Sequence, residues 1–175
     1  MTTEFARDAA ATAAIFGFFG SVWFGWAQED PPKPWRPRLL VGSIASLVTM
    51  VAGGLLVWRY WNDGTVFDED TSKTFGVIVG IEFVLAGIGA AILIARGRKD
   101  VIPAWVALVV GLHLFPVAVI TASPMTHVVA ALVTIAALAA LPVARSRSLP
   151  VSATTGSGAG TALLSGALFF LVTVL

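Results

Sequence analysis

The stretch Phe75–Ala95 reads FGVIVGIEFVLAGIGAAILIA, twenty apolar or small residues interrupted by one acid, Glu82. A helix needs about 20 mainly apolar residues to cross a hydrocarbon core roughly 30 Å thick. Five more stretches have this character: Ala9–Ala27, Leu39–Trp58, Val101–Ala122, Met125–Val143 and Val151–Leu175. In lipid every backbone N–H must bond within its own segment, so runs this long predict helices. The expected fold is an all-α integral membrane protein, a bundle of six transmembrane helices forming one polytopic domain over residues 1–175.

Composition agrees. Of 175 residues, 57% are hydrophobic and 12% charged, with a mean hydropathy of +0.88. A soluble domain carries roughly twice that charge fraction. Eleven Lys and Arg against ten Asp and Glu leave a net charge of +1, which predicts no nucleic-acid partner. The absence of cysteine excludes disulfides, thiolate metal sites and a Cys nucleophile.

Charge placement predicts orientation. Lys33, Arg36 and Arg38 lie at the first connection, Arg96, Arg98 and Lys99 at the third, Arg145 and Arg147 at the fifth. Only Arg7, Arg59 and Lys73 fall on the other side. Such a bias puts the basic connections in the cytoplasm and both termini outside it, in a bacterial plasma membrane. The loop Asn62–Thr74, with Asp63, Asp68, Glu69 and Asp70, then faces outward, its acidic triplet a solvated turn. Met1–Asp8 lacks the basic region of a cleavable signal, so the first span is expected to remain. Trp23, Trp26 and Trp105 at one boundary, and Trp58, Tyr60 and Trp61 at the other, read as interface anchors.

The sixth span is the least apolar, because Ser152–Thr161 reads SATTGSGAGT. With Ser148 as cap and Pro150 in the first turn, one helix is expected to run through it. A loop leading into a half-length helix is the alternative. Small residues mark where helices meet: Gly17 and Gly20 in the first span, Gly53 and Gly54 in the second, and Gly76, Gly80, Gly87 and Ala91 as one stripe in the third. The same stripes suit a homo-oligomer or a partner membrane subunit.

Ionisable groups at depth are costly and therefore informative. The spans hold no Lys, Arg or Asp away from their ends, but they hold Glu82, His113 and His127. An ionised group there costs roughly 2.5 kcal/mol or more, so it should face the interior with a partner. Glu82 lies about 10 Å below Phe75, and His113 about 12 Å below Thr121, so the two are level. Pro116 removes a backbone hydrogen bond near His113, which predicts a kink with the Leu112 carbonyl freed. His127 lies only about 5 Å inside the fifth helix, which Ser123 caps, and with Thr126 it is expected at the mouth of a pocket.

Two readings of the Glu82–His113 pair follow. In one it is an interhelical clamp. In the other it handles protons or a ligand in a polar pocket opening outward, lined also by His127 and Thr126. The lipid bilayer and a small or amphipathic solute, bound or transported with proton coupling, are then the expected partners. An alternative is a membrane-embedded enzyme in which Glu82 is general acid and His113 its partner, isomerising or cyclising an isoprenoid-like substrate. A third is a non-catalytic accessory subunit. No cofactor and no metal are expected, since no i, i+3 or i, i+4 ligand pair exists on any of the expected helices and His127 is off level.

Overall fold

The six apolar stretches are helices: α1 (Ala6–Ala27), α2 (Arg36–Arg59), α3 (Glu69–Ala95), α4 (Ile102–Ile120), α5 (Pro124–Arg147) and α6 (Val151–Thr173). Each is long and apolar enough to cross a membrane. The structure is a computed structural model that describes residues 5–175, and these contain no strand. The first four residues of the segment read for a signal, Met1–Glu4, lie outside the described residues.

Local chemistry sets the helix boundaries. Pro37, Pro103 and Pro124 sit in first turns, where a missing N–H costs nothing. Ser123 caps α5 by accepting from the Thr126 amide at 3.3 Å. Hydroxyls within the helices bond back to the preceding turn, as Thr49 does to Ala45 O and Thr134 to Ala130 O, both at 2.8 Å. α4 runs unbroken through Pro116.

Three boundaries differ from expectation. The acidic segment is not a loop to Thr74: Asp68 caps α3, its Oδ1 accepting from the Thr71 amide at 2.7 Å, and Glu69 and Asp70 form the first turn. Acids at a helix N-terminus favour that arrangement over an open turn. Ser148 does not start α6 but ends α5, in the left-handed conformation (φ 50°, ψ 44°). Pro150 is the N-cap of α6 rather than its first-turn residue, because an extended backbone there places Val151 as the first helical residue. The helix then continues through Ser152–Thr161, so the half-length alternative is excluded.

α6 is central, packing on α1, α2, α4 and α5. Its small residues allow this. A Cβ on Gly156 would lie 2.5 Å from the Trp23 carbonyl, and one on Gly160 would meet the Phe24 ring. α1 and α2 approach just as closely, Gly17 against the Met50 backbone and Gly53 against the Ala14 backbone. In membranes such close approach supplies the dispersion contact that holds helices together.

α3 is set apart. It packs on α4, and none of its residues is buried. Gly76, Gly80 and Gly87 face open space, as does Gly54 on α2, so these glycines do not dock helices within the chain as expected. α3 turns a different face to α4, the one carrying Glu82 and Gly89.

Ala27 at the end of α1 meets Gly156 near the start of α6, and the Lys99–Val101 segment before α4 packs on α6, so the basic connections share one end of the bundle, called here the basic end. The start of α1, the α2–α3 connection and the end of α6 share the other, where the Tyr60 hydroxyl donates to Val174 O at 3.1 Å. There Asp8, buried in the first turn of α1, holds the α2–α3 connection: Thr65 Oγ1 donates to it at 2.7 Å and the Val66 amide at 2.8 Å. Large apolar side chains stand on the perimeter of every helix, including Val41, Leu55, Val77, Phe83, Val119 and Leu138. That surface is compatible with a multi-pass membrane protein.

Candidate functional site: a groove between α3 and α4

Glu82 and His113 meet. Glu82 Oε2 lies 3.3 Å from His113 Nε2, and the two side chains are only 15% and 16% exposed. A fixed rise per residue made them level, and the packing of α3 on α4 turned them face to face. With one proton between them the pair carries no net charge, whether the acid or the imidazole holds it. His113 Nδ1 is enclosed and has no hydrogen-bond partner among the described residues.

The pair lines a groove of about 300 Å³, at the lower end of the volumes typical of small-molecule sites. Its walls are Ile78, Ile81 and Leu85 of α3 and Leu108, Leu112 and Pro116 of α4, with Trp105 near the basic end. No residue of an end connection lines it. The expected pocket opening at one end of the bundle is therefore replaced by an oily groove on its flank, with one polar spot. The cause is the isolation of α3: among the described residues no helix but α4 packs substantially on it.

Trp105 sets the basic-end limit of the groove. Its indole N–H donates to Leu85 O at 3.2 Å, and its ring lies where a Cβ on Gly89 would stand. The indole thus wedges between α3 and α4. Depth arithmetic contained the signal: Gly89 lies about 21 Å from the boundary at Phe75, and Trp105 about 24 Å from that at Thr121. Trp23 departs from the anchor reading, being buried and stacked on Trp26 at 5.3 Å.

His127 and Thr126 are not in the groove. Thr126 is buried, its hydroxyl 2.9 Å from Ser123 Oγ. His127 Nδ1 is 3.1 Å from Ser123 O, and its ring stands edge-on to Phe115 at 6.4 Å. Both complete the start of α5 locally. Among the described residues no three His, Asp or Glu side chains gather as a metal site.

The arrangement can therefore accept an apolar chain along its walls and one hydrogen-bonding group at Glu82 and His113. Compared with protein families, curated proteins and solved structures, the chain matches none.

Proposed function

We propose that this is a multi-pass protein of a bacterial plasma membrane, with basic connections cytoplasmic and both termini outside, that binds or moves a small amphipathic solute at the α3–α4 groove. The observation that carries this reading is the Glu82–His113 contact at 3.3 Å in a groove otherwise walled by aliphatic side chains. In hydrocarbon a lone polar group is costly, so a ligand's hydroxyl or carbonyl gains by finding the pair while its chain stays among apolar walls. The open flank supplies an entry route from the bilayer itself.

The test is photolabelling in reconstituted vesicles with a long-chain alcohol carrying a photoactivatable group. Labelling is expected on α3 and α4 and to vary with pH in the wild type. Glu82→Gln should remove the pH dependence, and His113→Ala should reduce labelling. Labelling that both variants leave unchanged sinks the reading.

A second reading, an accessory subunit, draws support from the uncovered Gly76, Gly80 and Gly87 face of α3. It predicts that Gly80→Leu disrupts a complex while the groove variants leave that complex intact.

A further inference from the structure

A second cleft, of about 520 Å³, lies where α1 ends and α2 begins, lined by Gln28, Arg36, Pro37 and Leu40. Gln28 holds its shape: Nε2 donates to Phe24 O at 3.1 Å and to Ser43 Oγ at 3.0 Å, tying α1 to α2. Both amide hydrogens are thereby used, which leaves Arg36 as the cleft's donor.

Arg36 is exposed and makes no ion pair within the described residues; Glu29 and Asp30 of the same connection do not come within 4 Å of a cation. Lys33 precedes it and Arg38 follows, and the first turn of α2 has neither an acid nor a side-chain cap. Three cations beside the positive end of a helix raise one another's energy, and an anion among them relieves it. Arg36 and Leu40 are one turn apart on the same helix face, and Leu40 is exposed. A cationic head position and an aliphatic wall thus follow each other along the direction in which a phospholipid lies.

We propose that this cleft holds the phosphate of an anionic phospholipid, with Arg36 as its forked donor and the upper part of an acyl chain along Leu40. Guanidinium matches two phosphate oxygens at once, and basic clefts between helix ends suit anionic headgroups. The proposal rests on the membrane placement above but not on the solute groove.

The experiment places the protein in lipid nanodiscs of phosphatidylcholine, with and without phosphatidylglycerol, and reads the melting temperature. Failure to enter nanodiscs of either kind overturns the membrane reading itself. For inserted protein, phosphatidylglycerol should raise the melting temperature of the wild type. Arg36→Gln should lose most of that rise, whereas Arg145→Gln, a basic-end cation outside the cleft, should keep it. Inorganic phosphate added to phosphatidylcholine discs should give no rise. The proposal is overturned if Arg36→Gln keeps the rise, if Arg145→Gln loses it equally, or if free phosphate reproduces it.

Discussion

The carboxylate of Asp8, in the first turn of α1, accepts the amide hydrogen of Val66 at 2.8 Å and so fixes the connection that carries the chain from α2 to α3. Its other oxygen takes the Thr65 hydroxyl, and Thr65 Oγ1 in turn accepts from the Phe67 amide at 3.1 Å. Arg7 adds a bond to Trp61 O at 3.0 Å. The connection is thus tied down at successive residues by one end of α1.

Asp8→Ala leaves a hydroxyl and a backbone amide without their acceptor and should cost about 2–3 kcal/mol. Asp8→Asn retains one acceptor oxygen and should cost less. Hydrogen exchange at the Val66 amide, together with unfolding in detergent, checks both. An alanine variant with wild-type protection at Val66 would refute the tie.

Close approach and open space make opposite predictions for two glycines. A Cβ on Gly53 would lie 2.7 Å from Ala14 N and 2.9 Å from Ala10 O, backbone atoms that cannot move aside singly. Gly53→Ala should therefore destabilise by about 1–3 kcal/mol. Gly80 has nothing within 4 Å, so Gly80→Ala should be neutral, or stabilising by up to about 1 kcal/mol through helix propensity. Equal effects in detergent unfolding would contradict this packing.

The Asp68 cap should show in acid. Hydrogen bonding from the Thr71 amide favours the charged carboxylate and holds it below its ordinary value of 3.8. The folded-state value is the lower one, so the cap's contribution is complete above 3.8 and is lost as pH falls through the folded-state value. The Thr71 amide shift, followed by NMR, should titrate with a midpoint below 3.8 in the wild type. It should stay flat over that range in Asp68→Asn, which caps without titrating. A midpoint at or above 3.8 in the wild type would argue against the cap.

Glu82 and His113 should be energetically coupled with no ligand present. α3 is held by few contacts, and the pair, with the Trp105–Leu85 bond, joins it to α4. A double-mutant cycle of Glu82→Gln and His113→Ala, measured by reversible unfolding in bicelles, should give a coupling of about 1 kcal/mol. Additive single effects would mean that the contact does not steady the helix pair.

Hydropathy is a local property, so residues 9–175 announced six helices without reference to one another. Depth was equally legible, because each residue advances a helix by about 1.5 Å, and this alone made Glu82 level with His113. Facing is different. The Gly76, Gly80, Gly87 and Ala91 stripe is as suited to packing as the face that α3 actually uses, and no periodicity distinguishes them. Contact between whole helices chose the face with Glu82 and Gly89, against which Trp105 wedges. The partners of Asp8 were hidden for the same reason, since Thr65 and Val66 reach it only once α1 and the α2–α3 connection lie together. Ser148 suits either an N-cap or a left-handed helix end, and only the join of α5 to α6 assigned it to the latter. Whether the pocket is a well at one end or a groove on the flank depends on which helices cover α3, a matter of assembly that no single segment encodes.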